Sequence, residues 1–166
     1  MANVTIAQAL RRAKKLKGQI DESRTRAAGC ASFFTDSPPA FQFDEQLKRA
    51  DGACDELAEL ESRISAANAA NSIVWRDRNL QLCWCVRMLA DLKGRLAWLR
   101  ALQVKQQAST MELVNVHTPG VGYQQMARPA ECKLPEAAKA ALIEQIQDRF
   151  DELNALVEAA NHTITI

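Results

Sequence analysis

The sequence predicts a mainly α-helical protein: a four-helix antiparallel bundle, or paired long helical hairpins, with a small accessory β-sheet. Three observations predict it. Four segments place apolar residues at alternating steps of three and four, the spacing of one helix face. The five prolines and six glycines are few, and every proline falls between those segments or at the first residue of one. Three short stretches, 72–75, 112–116 and 162–166, are β-branched or alternate as strands do. The 166 residues are assigned to a single domain, 1–166, with helices about 5–31, 40–70, 77–108 and 135–161 and a long loop at 117–134. A chain of this length can bury roughly two thirds of its unfolded surface.

The first helix opens on Thr5-Ile6-Ala7-Gln8, a capping box. In it the Thr hydroxyl accepts from the Gln amide and the Gln side chain returns the bond. Ile6, Ala9, Ala13, Leu16, Ile20, Ser23 and Ala27 then form a coiled-coil-like seam. The other face, Arg11, Arg12, Lys14, Lys15 and Lys17, is basic and reads as solvated; an anion-binding face is the alternative. Gly29 and Pro38-Pro39 end the helix, since proline cannot continue it. Phe33, Phe34, Phe41 and Phe43 crowd the turn, either as an aromatic plug over one end of a bundle or as an exposed docking loop.

The second helix carries the seam Phe43, Leu47, Ala50, Cys54, Leu57, Ile64 and Ala67. Its acids Asp55, Glu56, Glu59 and Glu61 match the basic first helix, as an antiparallel hairpin would allow. It ends in a run of alanines with Asn68 and Asn71, and the end of the fourth helix, Ala159-Ala160-Asn161, echoes it. Asparagine bonds its own backbone and tolerates the left-handed conformation, so the echo reads as a repeated stop signal. The three β segments are expected to pair with one another at one end of the bundle.

The third helix is apolar almost all round from Leu80 to Ala90, which ordinarily means burial. Leu82, Cys85, Leu89, Leu92, Leu96 and Leu99 form its main seam; Trp84, Met88, Trp98 and Leu102 form a second. Arg87, Asp91 and Arg95 recur at steps of four on one face. A lone buried charge costs several kcal/mol or more, so this ladder is expected to be buried and paired, within the bundle or across a subunit boundary. Asn68 and Asn161 join it as expected members of a buried polar network or interface. Trp84, Trp98, Phe33 and Phe34 are the expected interface aromatics. The fourth helix opens at Pro135-Glu136 and carries Leu142, Ile146, Phe150, Leu153, Val157 and Ala160.

The pattern INxxNxAxxL, a long Leu-rich helix with an RLxxLR core, and a closing ANxT resembles a family of small helical bacterial proteins often labelled septicolysin-like. The matching residues are Ile64, Asn68, Ala70 and Ile73; Arg95, Leu96, Leu99 and Arg100; and Ala160, Asn161 and Thr163. An opening LxxALxxR matches loosely at Ile6 to Arg12. The resemblance implies an all-α fold and no established activity. His162, where an aromatic is expected, and the extended 117–134 segment depart from it.

Composition narrows the chemistry. A net charge of +1 gives no electrostatic reason to expect nucleic acid, and permits self-association. Five cysteines without CxxC spacing favour reduced thiols in the cytoplasm. No run of 18 apolar residues predicts a membrane span. Cys83 and Cys85 point about 200° apart on a helix and cannot share a metal. His117 and His162 lack a local catalytic signature, and His117-Thr118-Pro119-Gly120-Val121-Gly122-Tyr123 lacks the phosphate-loop lysine. No cofactor, metal or catalytic residue is expected. The expectation is a non-enzymatic helical protein that homo-oligomerises, scaffolds or binds a protein partner. A module binding a peptide or small anion through 117–134 and the ladder is the alternative, and a membrane-active, pore-forming-like protein is a weaker one.

Overall fold

The computed structural model describes residues 3–104 and 109–166. It is mostly helical, with two small antiparallel β parts. In order the elements are α1 (Ile6–Cys30), α2 (Phe43–Ala70), β1 (Ser72–Trp75), β2 (Arg78–Gln81), α3 (Leu82–Ala101), β3 (Ser109–Thr118), β4 (Gly122–Glu131) and α4 (Glu136–Thr163). The chain divides into two compact units: Met1–Arg87 with Leu153–Ile166, and Met88–Glu152.

In the first unit, α1 and α2 form an antiparallel pair. The capping box forms as expected: Thr5 N donates to Gln8 Oε1 at 3.0 Å and Gln8 N donates to Thr5 Oγ1 at 3.3 Å. All seven expected seam residues of α1 are buried, and Cys30 extends the seam by one turn. Arg12 Nε donates to Glu56 at 2.6 Å, and Lys17 meets Glu61 at 2.8 Å. Both bridges are exposed, so each contributes at most about 1 kcal/mol. The buried stripe of α2 departs from its expected seam. Gln46, Ala50, Leu60 and Ile64 are buried, while Phe43 and Leu47 lie exposed.

Asn71 ends α2 as its side chain predicts. Its Nδ2 donates back to Ala67 O at 2.8 Å, and its carbonyl accepts from Leu82 N at 2.9 Å, which ties the end of α2 to the start of α3. Between these points β1 and β2 form a hairpin with Trp75 opposite Arg78. Arg76 and Asp77 occupy its two-residue turn with φ of 51° and 60°. Positive φ at both central residues is the twist a tight hairpin requires. The third helix therefore begins at Leu82 and not at Asp77. It ends at Ala101; residues 105–108 of the expected helix lie outside the described residues.

The chain's last segment is also corrected. Asn161 does not stop α4, which runs on to Thr163; there the hydroxyl bonds back to Ala159 O and Ala160 O, both at 3.1 Å. What remains of the expected strand at 162–166 is one bridge, Thr165 with Thr5, joined by Ile6 N to Ile164 O at 3.0 Å and Ile166 N to Val4 O at 2.8 Å. The three expected β segments do not form one sheet. Each finds a different partner, because 72–75 and 112–116 pair locally with strands that follow them.

In the second unit β3 and β4 form a ten-residue hairpin from Ser109–Glu131 to Thr118–Gly122. The expected loop at 117–134 is thus mainly strand. Gly120 and Gly122, at φ of 84° and 86°, turn the chain, and Val121 N donates to Thr118 O at 3.1 Å. Lys139 on α4 is buried, and its Nζ donates to Leu102 O at 2.8 Å while meeting Glu136 at 3.4 Å. A cation there satisfies a carbonyl just beyond the end of α3, where the helix dipole is negative.

The α1 seam yields a stability prediction. Leu16→Ala should destabilise the protein by about 2–5 kcal/mol through lost burial and a residual cavity, whereas Lys14→Ala on the exposed face should stay within about 0.5 kcal/mol. Urea unfolding followed by circular dichroism measures both.

Candidate interaction surface

α3 has two seams set one residue apart, so they lie about 100° from each other around the helix. Leu82, Cys85, Leu92, Leu96 and Leu99 of the main seam are buried, and Leu89 is half-buried. The second seam is not. Met88 and Leu102 are half-buried, Asp91 and Arg95 are exposed, and Trp98 retains 61% of its surface. Within the second unit, Met88, Ala90, Asp91, Leu92, Gly94, Arg95 and Trp98 line a shallow open groove. A Cβ built on Gly94 meets nothing within 4 Å, so no neighbour in the chain requires a glycine there.

Burial of the ladder within the bundle, one of its two expected forms, is therefore corrected. Arg87, Asp91 and Arg95 are all exposed in the chain. Their face is the second seam, and only the main seam is covered. Arg87 and Asp91 nevertheless each engage a partner within the chain. The reading of α3 as a helix wrapped on all sides falls with the ladder's burial.

The other anticipated residues are in the first unit. Asn68 and Asn161, in the first unit, are half-buried; the buried Asn68 Oδ1 has no hydrogen-bond partner among the described residues. Trp84 packs against buried Trp75 of the β1–β2 hairpin, ring centres 6.5 Å apart and tilted by 43°, and keeps an exposed edge. The aromatic plug does not form. Phe34 is 82% exposed and Phe33 is exposed too, while Phe41 lies under the Arg26 guanidinium, 4.7 Å from its ring centre.

The β3–β4 hairpin is a second exposed apolar surface, one that periodicity alone does not reveal. Cross-strand pairing puts Met111, Leu113, Asn115 and His117 on one face with Tyr123, Gln125, Ala127 and Pro129. Met111, Leu113 and Tyr123 on it are exposed, Tyr123 at 79%. His117 stands edge-on to Tyr123 with ring centres 5.2 Å apart. The signal for β4 is the pair of glycines flanking Val121, which suit a hairpin turn, but Gly122 to Glu131 holds few strand-forming residues of its own.

Comparison with protein-family models, with curated proteins and with solved structures finds no match for this chain. The surfaces themselves therefore carry the functional reading. Among the described residues no three His, Cys, Asp or Glu side chains gather where they could hold a metal ion. No described helix is long and apolar enough to cross a membrane. The cysteines are all free thiols. Burial pushes the Cys85 thiol above its ordinary range, and neighbouring Cys83 adds to the shift.

The thiolate is the reactive form, so a raised pKa and burial both protect Cys85. Iodoacetamide at pH 8.5 should alkylate exposed Cys83 in the native protein and leave Cys85 unmodified until denaturant is added. Peptide mass mapping after the reaction reads both sites.

Proposed function

We propose that this protein is a non-enzymatic helical interaction protein that assembles with further copies of itself, and that its working surfaces are the outer seam of α3 and the β3–β4 hairpin. The observation that carries the reading is the exposure of Trp98 on the same seam as half-buried Met88, on a helix whose other seam is already covered. A tryptophan is among the largest apolar side chains, and an apolar patch rimmed by charge is characteristic of an interface. The hairpin adds Met111, Leu113, Val121, Tyr123 and Met126, all exposed. A two-stranded hairpin by itself is marginally stable in water, so covering it would be favourable. The net charge of +1 presents little long-range repulsion between copies. Cytoplasmic residence fits five free thiols, and a small bacterial helical protein fits the septicolysin-like pattern.

A second reading, capture of an extended peptide, draws on one observation: among the described residues β3 and β4 pair only with each other, so neither outer edge carries a further strand there and an added strand could pair with it.

Sedimentation equilibrium over low to high micromolar protein tests the main reading. The expected result is a mass that rises with concentration to a defined oligomer. A monomer at the highest concentration would overturn it. Trp98→Ala should shift the association at least tenfold to higher concentration, with little change in helical circular dichroism.

A further inference from the structure

We propose that two copies of the chain pair through α3, running antiparallel about a two-fold axis level with Lys93, so that Asp91 of each copy meets Arg95 of the other. This rests on the self-association reading above and names the surface and register that would serve it.

The spacing supplies the first argument. Met88, Asp91, Arg95, Trp98 and Leu102 are separated by steps of three, four, three and four. The mean step of 3.5 is the heptad repeat, which keeps one seam facing a partner helix along a gentle supercoil. The sequence carries the seam one step further, to Trp84. It is distinct from the buried seam of Leu92, Leu96 and Leu99.

Charge selects the direction. A parallel, in-register pair would set Asp91 on Asp91 and Arg95 on Arg95, two repulsive layers. An antiparallel pair centred on residue 93 instead sets Asp91 on Arg95 twice and Met88 on Trp98 twice. Leu102 then falls opposite Trp84. A two-fold interface requires this reciprocity, residue i on residue j and j on i.

Charge also selects the register. An antiparallel pair centred on 91 or on 95 lays one of these charges on itself. Sliding the pair half a heptad, to a centre between 96 and 97, sets Arg95 against Trp98 and Asp91 against Leu102. Sliding it the other way, to a centre between 89 and 90, sets Asp91 against Met88 and Arg95 against Trp84. In neither case does a charge meet its opposite. Among these registers only the centre at 93 satisfies both charges while covering both copies of Trp98. A polar pair inside an otherwise apolar seam is a known device for fixing register.

The local structure admits the pairing. Asp91, Arg95 and Trp98 are exposed, and the space beside Gly94 is open, so a second helix can approach closely on that flank. Asp91 is already engaged within the chain. An ionised carboxylate offers about four acceptor positions, so it can take the Arg95 guanidinium of a second copy without releasing its first partner.

Charge reversal in the full-length chain tests the proposal, with association read by sedimentation equilibrium and folding by circular dichroism. Asp91→Arg alone would set cation against cation in both charged layers of the pair, and Arg95→Asp alone would set carboxylate against carboxylate. Each variant alone should self-associate at least tenfold more weakly than the unmodified chain. Mixed together in equal amounts, the two should recover association as a heterodimer, and the doubly swapped D91R/R95D chain should recover it as a homodimer. Recovery by complementary charges is a result that loss of folding cannot imitate. If the unmodified chain associates and neither single reversal weakens it, or if neither the mixture nor the double swap recovers it, this surface and register are wrong while self-association stands. A monomeric unmodified chain would overturn both.

Discussion

The constraint on which the rest depends is angular: α3 carries two seams one residue apart, and a neighbour on one side covers only one of them. Met88 precedes Leu89, Asp91 precedes Leu92, Arg95 precedes Leu96 and Trp98 precedes Leu99. Each step turns the helix by about 100°, so whatever buries the leucines leaves the preceding residues outside. Leu92, Leu96 and Leu99 are accordingly among the most buried residues of the chain, and Trp98 among the most exposed. The charges at 91 and 95 cost nothing in desolvation where they lie. They would become costly only in a second burial, and there only if left unmatched.

Local capping explains how the first unit presents its elements. The Thr5–Gln8 box fixes the start of α1, and the chain's last residues bridge back onto Val4 and Ile6. Asn71 satisfies a carbonyl of α2 with its side chain while accepting the first amide of α3 with its own carbonyl. The β1–β2 hairpin fits between these two bonds, and its inward residue is Trp75. One asparagine therefore ends a helix, frames a hairpin and starts the next helix. Asn161 in the echoing sequence does not do the same: α4 continues to Thr163, whose hydroxyl bonds back to Ala159 O and Ala160 O.

Legibility follows how local the deciding physics is. The seam of α1 is readable in full because one partner covers one face, so the 3-and-4 spacing maps directly onto burial. The α1–α2 bridges are readable because opposite charges on neighbouring helices attract whatever their detailed geometry, and Glu56 and Glu61 are among the acids that match the basic face. The β1–β2 turn is not, since it is made by Arg76 and Asp77 where Asn-Gly would have announced it. β4 is hidden because its register is dictated by β3 and its own composition is poor in strand formers. The ladder on α3 is misplaced for a third reason: apolar content tells how much a helix could bury, and says nothing of how many neighbours it has.

A second all-leucine seam would bind a partner helix more strongly but would accept either direction and several registers. In the proposed pair Asp91 and Arg95 would lower the affinity of misaligned pairings more than of the matched one, since a misaligned partner leaves a charge facing its like or facing an apolar side chain. They also flank Trp98 and Met88 with groups that prefer water, which restrains indiscriminate hydrophobic contact by the lone chain. The same two charges thus permit a tryptophan to stand exposed and, in the proposed pair, decide what may cover it.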